Sequence, residues 1–453
     1  MKDLTVGNEA KLIFNFALPM VLGNLFQQLY SVVDRIIVGR FIDDTALAAV
    51  GASFPIFYTL ISFMIGIGSG ATIVISQYFG AKETEKVKRA ITTIFTFLFF
   101  ASLVIMFIGI YFSREIFVLL HVGEEVLPLS VEYFTVYMTG MIAFFGFNGT
   151  SSILRGLGDS KTPLRFLIFA TVLNIILDVL FVVVFNWGIK AVAAATVISQ
   201  FAAFARAVMY LEKKQHIISF RLKQWVFDWA LFKQSLQIGL PTGFQQTFVA
   251  LGMMALIRIV NNFDSSVLAA YTAAGQIDAL AALPALNLAS ALSAFVGQNL
   301  GANKIDRIKK GLRATLIMAW SISFVVMVIA YFFSEHLMTL FSASEDVIGH
   351  GSSYLVIVSS FYLIFSTMFV LHGVLRGAGA TLIPMFITLM SLWVIRIPLA
   401  VIFSDHFGVN GIWWAIPAGW TAGMLGSLIY YLSGKWKGKG VVKQSTVSNS
   451  VPK

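Results

Sequence analysis

The chain has 453 residues, of which 58% are apolar and only 12% are charged. This composition excludes a water-soluble globular domain, in which about a quarter of the residues are charged. The formal net charge of +10 does not indicate a nucleic-acid partner, because the basic residues concentrate in particular connectors between apolar stretches. Cysteine is absent, which excludes disulfides and thiolate metal sites.

Twelve apolar stretches follow one another along the chain, each long enough for a membrane-spanning helix of about 20 residues. The first begins near Leu12 and has no small-residue cleavage site behind it, so we interpret it as a retained helix and not as a signal peptide. The sequence therefore predicts an all-α integral membrane protein. Its predicted spans are 12–37, 47–78, 90–113, 130–154, 163–186, 189–211, 233–260, 268–299, 312–334, 352–375, 384–404 and 408–432.

The basic residues also indicate the topology. All but six of the 32 Lys and Arg residues lie in the N-terminal segment, in every second connector or in the C-terminal tail. The intervening connectors are acidic, for example at Asp43, Asp44 and Glu124. By the positive-inside rule both termini are cytoplasmic, which requires an even number of crossings. We predict a multi-pass protein of the cytoplasmic (inner) membrane.

The two halves of the chain repeat each other. The segment Gln77-Tyr78-Phe79-Gly80-Ala81 recurs 221 positions later as Gln298-Asn299-Leu300-Gly301-Ala302, and Leu154-Arg155-Gly156 recurs at the same spacing as Leu375-Arg376-Gly377. An even number of spans in each unit gives both copies the same orientation, so the repeat is parallel and the binding cavity is expected between the halves. We predict an N-terminal lobe at 1–215, a C-terminal lobe at 216–435 and a basic cytoplasmic tail at 436–453.

Ionisable residues inside spans cost about 2.5–3.5 kcal/mol each on insertion scales, so each needs a partner or a function. The acids well inside apolar stretches are Asp34 in span 1, Asp178 in span 5 and Asp278 in span 8. Three alternatives stay open. Asp34 forms an ion pair with Arg35 or Arg40, Asp178 is a core acid satisfied by amides, and Asp278 pairs with Arg258 or is hydrated.

Polar residues place an acid-rich site in the outer half of the N-terminal lobe. Asn174 and Asp178 are four residues apart and share a helix face. Span 1 carries further polar side chains at spacings of three and four, which form one stripe along its helix. These residues are Asn24, Gln27, Gln28, Ser31 and Asp34, and Asn148 in span 4 adds another amide.

Two chemistries suit such a site. A desolvated carboxyl group can bind and release protons near neutral pH. Alternatively, two carboxylates together with Asn and Thr oxygens form the hard-oxygen environment that Na⁺ prefers. The sequence leaves the choice between H⁺ and Na⁺ open, and no other cofactor is predicted.

The remaining intramembrane polar residues have structural interpretations. We interpret Arg155 and Arg376 as anchors at the cytoplasmic ends of their spans and His372 as a hydrogen-bonded packing residue. The sequence contains no GxxxxGK[ST], HExxH or GxSxG motif, which disfavours an ATP-driven pump or a familiar hydrolase. An intramembrane enzyme acting on lipid is also disfavoured, because His372 has no acidic neighbour in its own span.

Several separated motifs together identify a family resemblance. They are Pro19, Gln27-Gln28, Asp34, Gly39-Arg40, Leu47-Ala48-Ala49-Val50-Gly51, Gln77-Tyr78-Phe79-Gly80-Ala81, Leu154-Arg155-Gly156-Leu157-Gly158-Asp159 and Asn174-Ile175-Ile176-Leu177-Asp178. In this order they resemble the multidrug and toxic compound extrusion (MATE) transporters, and within them the DinF-like branch. The resemblance implies two six-helix lobes in a V that alternate between outward-open and inward-open states, and export of cationic and other amphipathic compounds by H⁺ or Na⁺ antiport.

The resemblance also implies which residues form the sites. The ion-coupling residues carried over are Asp34, Tyr133, Asn148, Asn174, Asp178 and Thr196, with Na⁺ expected at Asp34, Asn174, Asp178 and Thr196. The candidate substrate-binding residues are Gln27, Gln28, Ser31, Gln245, Gln246 and Asp278. The chain departs from other branches because span 7 offers Gln245 and Gln246 where they have an acid, and span 10 has no acid. Coupling through the C-terminal lobe is therefore not expected.

The expected partners are small amphipathic, cationic organic compounds and the lipid bilayer, with the protein acting as a monomer and not as an enzyme. The alternative transport function is a flippase for lipids or lipid-linked oligosaccharides. Such a flippase is expected to line its central cavity with basic residues that hold a pyrophosphate.

Overall fold

The computed structural model describes residues 2–215 and 226–442, and all regular secondary structure in these ranges is helical. The helices of the first half are α1 (Glu9–Phe41), α2 (Asp44–Gly80), α3 (Thr84–Tyr111), α4 (Ser113–Leu119), α5 (Leu127–Thr139), α6 (Met141–Gly156), α7 (Lys161–Asp178) and α8 (Ile189–Gln215). Those of the second half are α9 (Trp229–Val260), α10 (Ser265–Gly301), α11 (Ile305–Phe332), α12 (Ser334–Thr339), α13 (Glu345–Ser359), α14 (Tyr362–Gly377), α15 (Leu382–Leu389), α16 (Ile397–Phe407) and α17 (Val409–Leu432).

The prediction of an all-α membrane protein is confirmed. Within the described residues, nine helices are long and apolar enough to cross a membrane, or eleven when each of two bent helix pairs counts as one span. The last predicted span corresponds to α17, which has 24 residues and contains no charged side chain. Its Trp and Gly residues lower its mean hydropathy, and it lies outside that count.

Local signals in the sequence set the helix starts. The Asn8 side chain accepts a hydrogen bond from the Lys11 amide (3.0 Å), and Asp43 accepts one from the Ala46 amide (2.6 Å). Asp228 caps α9 in the same way. These side chains satisfy backbone N–H groups that have no partner within the first helical turn.

The internal repeat extends to the breaks in the helices. The α5–α6 pair bends by 52° at Gly140, and the α13–α14 pair bends by 53° at Phe361, which lies 221 positions later. The break between α3 and α4 at Phe112 likewise corresponds to the break between α11 and α12 at Phe333. The two halves therefore share a backbone plan. The lobe boundaries stay a prediction, and residues 443–453 of the predicted tail lie outside the described part of the chain.

Two buried glutamines join the halves at one end of the bundle. The Gln77 side chain donates to the carbonyl of Gly377 (2.9 Å), and the Gln298 side chain donates to the carbonyl of Gly156 (3.2 Å). Both glutamines are fully buried. The two glutamines are 221 positions apart, and so are the two glycines. The two bonds are therefore equivalent: each half donates one to the other. We call these four residues the interlock.

The chain termini complete the interlock. The side-chain oxygen of Gln298 accepts from the Leu4 amide (2.9 Å), and the side-chain oxygen of Gln77 accepts from the Val441 amide (2.7 Å). Arg307 holds the N-terminal segment through the Gly7 carbonyl (2.8 Å). Each buried glutamine thus has partners for both its donor and its acceptor, as burial of an amide requires.

Small residues bring the backbones together beside the interlock. A Cβ atom at Gly80 would overlap the backbone carbonyl oxygen of Gln298, and a Cβ atom at Gly301 would overlap the backbone carbonyl oxygen of Gln77. Farther along α2, a Cβ at Gly66 would lie 2.9 Å from the backbone of Gly239. Such close helix contacts are typical of small residues at membrane helix interfaces.

We predict that Gly80→Ala separates the halves at this end, because the added methyl group has no space beside Gln298. Strain of this kind costs about 1–3 kcal/mol, which increases the opened population about fivefold or more. The chain has no cysteine, so a Ser76→Cys reporter at the buried α2–α10 contact can be followed by maleimide labelling. Gly275→Ala is the control, since no atom lies within 4 Å of a Cβ there. Equal labelling rates in the two backgrounds would contradict the prediction.

Candidate functional site

Two carboxyl groups meet between α1 and α7. Asp178 is the last residue of α7 and is completely buried, whereas Asp34 on α1 is half-buried. The two side chains lie within hydrogen-bonding reach of each other. After Asp178 the helix continues as a π-helical turn, Val179–Val184, a distortion that is frequent at functional sites. We call Asp34 and Asp178 the acid pair.

Asn174 bridges the acid pair. It lies one turn before Asp178 and is buried. Oriented to satisfy its neighbours, its amide nitrogen donates to Asp34 Oδ1 (3.2 Å) and Asp178 Oδ2 (3.0 Å), and its oxygen accepts from the Thr196 amide (3.2 Å). The Thr196 hydroxyl shares a hydrogen bond of 2.9 Å with Tyr30. One amide thereby links three helices, α1, α7 and α8.

Tyrosines enclose the acid pair from α1 and α5. Tyr30 lies one turn before Asp34 and is within hydrogen-bonding reach of its carboxyl group. Tyr133 is buried and interacts electrostatically with both acids, and its ring contacts Phe57 edge-on at a centroid distance of 6.1 Å. Apolar rings on one side and hydroxyl groups on the other limit the access of water to the acids.

A cavity of about 380 Å³ opens next to the acid pair. It reaches the acids through Tyr30, Asn174 and Thr196, and Gln27 and Asn148 also line it. The Asn148 amide nitrogen donates to the Phe144 carbonyl of its own helix (2.8 Å), and no hydrogen bond between described residues joins Asn148 to the acids. We call this space the N-half cavity.

Comparison with known proteins identifies the family. The MatE family profile matches residues 19–180 and 241–402, one segment in each half. The chain belongs to the MATE transporter family. It is 34% identical to "Probable multidrug resistance protein YoeA" of Bacillus subtilis over 438 residues, which covers 94% of each chain. It is 25% identical to an "FAD transporter" of Shewanella oneidensis, covering 93% of this chain and 94% of the relative.

Solved structures agree with the fold. A multidrug resistance MATE family transporter in an outward-facing conformation superposes with a TM-score of 0.88 at 24% identity, covering 96% of this chain and 97% of the other. The predicted membership of the MATE family and the predicted all-α membrane fold are therefore confirmed. The roles assigned to its site residues stay predictions.

The two alternatives for the acid pair find little support in this MATE transporter. None of the ion pairs between described residues involves Asp34 or Asp178. Asp34 therefore does not form the alternative ion pair with Arg35 or Arg40. Asp178 does bond to an amide, but its Oδ1 atom is buried and has no hydrogen-bond partner. Amides alone do not satisfy this carboxyl group.

The candidate substrate residues divide between the cavity and the protein core. Gln27 lines the N-half cavity, whereas Gln28 is exposed and the Ser31 hydroxyl donates to the Gln27 carbonyl of its own helix. Gln245 is buried and bonds to Thr388 and to Arg376 (2.7 Å), and its neighbour Gln246 is half-buried. These contacts give Gln245 a structural role between α9, α14 and α15.

Asp278 lies in the second half, apart from the acid pair. Its carboxylate accepts from the Tyr354 hydroxyl (3.4 Å) and interacts electrostatically with Arg396. The predicted alternative partner, Arg258, is instead exposed at the end of α9. His372 is fully buried and hydrogen-bonded to Ser427 (2.9 Å), and its packing role stays a prediction.

The sequence interpretation missed Tyr30 and the pair formed by Tyr137 and Gln200. Tyr137 hydrogen-bonds Gln200 and lies close to Asp34. Two signals were available. Tyr30 precedes Asp34 by four residues and shares its helix face, and Tyr137 follows Tyr133 at the same spacing.

We predict that Asn174→Ala destabilises the protein by about 2–3 kcal/mol, because two bonds to acidic side chains are lost. Asn148→Ala is the matched control. Its amide bonds only a carbonyl of its own helix, so its loss costs about 1 kcal/mol or less. Thermal unfolding of both variants in the same detergent measures the difference, and equal unfolding midpoints would contradict a bridging role for Asn174.

Proposed function

We propose that this MATE transporter exports small amphipathic organic compounds by antiport against H⁺ or Na⁺, with the coupling ion bound at the acid pair. Its relatives carry names that describe multidrug resistance and, in one case, FAD transport. The lack of acids in α9 and α14 supports assignment to the DinF-like branch, in which coupling uses the N-terminal lobe. We propose a monomer as the working unit.

The observation that carries this proposal is the unpartnered Oδ1 atom of Asp178, buried beside a second carboxyl group. Two adjacent carboxylates repel each other when both are ionised. A buried acceptor without a partner also costs free energy. A proton or a sodium ion shared by the acid pair removes both penalties, so the site favours a bound cation.

The ligand set suits either ion. A proton needs only the two carboxyl groups, which lie within hydrogen-bonding reach. Sodium would use Asp178 Oδ1 and the hydroxyl oxygens of Tyr30 and Thr196, which already face each other. In the present arrangement the oxygen of Asn174 points to the Thr196 amide. Coordination of sodium by the Asn174 oxygen would therefore require this amide to turn.

Asn174 supplies the link between ion and cargo. When the acid pair binds a cation, the carboxylate oxygens become poorer acceptors and the two bonds from Asn174 weaken. Those bonds join α1 to α7, and Tyr30 joins α1 to α8. Tyr30, Asn174 and Thr196 line the N-half cavity. Ion occupancy therefore changes the shape of the space available to cargo.

The orientation follows from the positive-inside rule. Lys304, Arg307 and the N-terminal segment lie at the interlocked end, which we assign to the cytoplasm. In this orientation the structure is closed toward the cytoplasm, and the acid pair lies in the outer half of the membrane. Both termini then face the cytoplasm, and we place the protein in the cytoplasmic membrane.

We predict that Asp178→Asn reduces ion-driven efflux at least about tenfold, since the loss of a buried charged hydrogen bond amounts to about 1.5–3 kcal/mol. Membrane insertion should stay intact, because the change removes a charge from the membrane interior. Dye efflux from proteoliposomes measures the effect. Asp405→Asn, at an exposed position on α16, is the control. Full efflux by Asp178→Asn would count against the acid pair.

The same proteoliposomes identify the coupling ion. A pH gradient and a Na⁺ gradient are imposed separately, each with the other ion balanced. Efflux driven by the pH gradient alone would assign H⁺, and efflux that needs the Na⁺ gradient would assign Na⁺. Efflux driven by neither gradient would contradict antiport.

A lipid or lipid-linked oligosaccharide flippase is the second candidate. One observation favours it, since two arginines line the cavity between the halves. Binding of a cationic dye to the purified protein separates the two functions. Loss of dye binding in Asp34→Asn and Asp178→Asn supports export, whereas indifference of binding to both changes favours the flippase.

A further inference from the structure

A second cavity, of about 220 Å³, lies between the two halves and contains two arginines. Arg155 belongs to α6 of the first half and Arg376 to α14 of the second, and they occupy equivalent positions in the repeat. From the sequence, both were expected to be anchors at the cytoplasmic helix ends. The structure instead directs them into the space between the halves, which we call the interface cavity.

Neither arginine has an acidic partner among the described residues. Arg155 donates to the Ser152 hydroxyl (2.9 Å) and Arg376 to the side-chain oxygen of Gln245 (2.7 Å). The five ion pairs in the described part of the chain include neither residue. The buried Nε atom of Arg376 has no hydrogen-bond partner at all. A guanidinium group carries five N–H donors and does not deprotonate, so two positive charges remain uncompensated here.

Attraction to the helix C-termini does not account for these arginines. Both lie in the last turn of their helices, where the dipole contributes about 0.3–1 kcal/mol at exposed sites. However, the Arg155 side chain points back toward the start of its own helix, as long side chains on helices tend to do, and bonds Ser152 there. The carbonyl groups of Gly156 and Gly377 accept instead from the interlock glutamines.

The remaining walls of the interface cavity fit an amphipathic molecule. Phe16, Met20, Met64 and Phe144 supply apolar surface, and Ser290 supplies a hydroxyl. Arg155, Asn148 and Phe144 line both this cavity and the N-half cavity, so the two spaces adjoin. A bound molecule can therefore place an anionic group between the arginines and its apolar body along the adjoining walls.

We propose that Arg155 and Arg376 form an anion site that binds the carboxylate or phosphate group of an amphipathic organic cargo between the two halves. This inference rests on the proposed export function and names a substrate class for it. Cargo with an anionic group is therefore accepted, in addition to the cationic compounds expected from the sequence. Arginine suits this role because its fork of donors matches the oxygens of carboxylate and phosphate groups.

Equilibrium binding to the purified full-length protein tests the proposal. The probes are fluorescent dansylaminoundecanoate and its methyl ester, which differ only in the negative charge. Arg155→Gln and Arg376→Gln should each weaken binding of the carboxylate about tenfold or more, in line with about 1.5–3 kcal/mol for a charged hydrogen bond. Ester affinity should change less than about threefold, which also verifies that each variant is folded.

Matched variants control for net charge and for folding. Arg258→Gln removes one positive charge at an exposed position outside the cavity and should leave carboxylate binding unchanged. Arg155→Lys and Arg376→Lys keep the charge and should retain part of the affinity. Carboxylate binding that is insensitive to all the substitutions of Arg155 and Arg376, or equally reduced for the ester, would overturn the proposal.

Competition distinguishes the source of the anionic group. Inorganic phosphate should displace the carboxylate probe from the detergent-purified protein in an arginine-dependent manner. Displacement by phosphatidylglycerol in nanodiscs, without displacement by phosphate, would overturn the cargo assignment and give the site to a lipid headgroup.

Binding without a gradient separates this proposal from the coupling mechanism. Asp178→Asn should bind the carboxylate probe normally while losing ion-driven efflux. If Asp178→Asn keeps full efflux while Arg155→Gln loses probe binding, coupling at the acid pair fails and the anion site stands. If the arginine variants bind the probe normally while Asp178→Asn loses efflux, only the anion site fails.

Discussion

The interlock is the contact on which the rest of the architecture depends. Gln77 and Gln298 are fully buried, and each uses its donor on a carbonyl of the opposite half and its acceptor on a terminal segment. A buried amide that loses a partner costs about 1–3 kcal/mol unless water replaces it. Separation of the halves is therefore favourable only if water reaches both glutamines together. This requirement makes the end of the bundle either closed or open, with no stable intermediate.

The repeat preserves the scaffold but not the chemistry. Gln77, Gly156 and Tyr133 have counterparts of the same type in the second half, Gln298, Gly377 and Tyr354. The positions equivalent to the acid pair and its bridging amide are Ala255, Leu399 and Ile395. The second half instead carries Asp278, whose own counterpart is Phe57. Both halves therefore keep the contacts that hold them together, while only the first keeps the paired acids.

Periodicity and charge placement were sufficient to predict the architecture. A run of about 20 apolar residues has few structural options in a bilayer, and the 221-residue spacing related the halves before any contact was known. Asn174 and Asp178 were predictable as neighbours because four residues span one helical turn. Asp34 reaches Asn174 and Asp178 because α1 packs against α7. The family resemblance implied this proximity, but residue spacing alone does not predict it.

Other features could not be predicted because their signals are not local. The bends at Gly140 and Phe361 have no proline, and the π-helical turn after Asp178 has no recognised sequence signature. Arg155 and Arg376 resemble end anchors, since a basic residue in a last helical turn is common. The direction of a long side chain depends on its tertiary neighbours, here Ser152 and Gln245. The sequence repeat included the two glutamines of the interlock, but it did not indicate that each bonds a glycine carbonyl of the opposite half.

The opposite charges of the two proposed sites constrain how the proposed antiport can operate. A cationic cargo can compete with the coupling ion for the acid pair, so charge alone makes their binding mutually exclusive. An anionic cargo behaves differently, because a cation at the acid pair makes the adjoining cavities more positive and strengthens its binding. Exclusion must then be conformational. Arg155 and Arg376 directly precede Gly156 and Gly377, the carbonyl partners of the interlock. Opening the interlock therefore moves the two arginines apart with the halves that carry them, so cargo entering from that end meets one arginine first and contacts both only when the end closes.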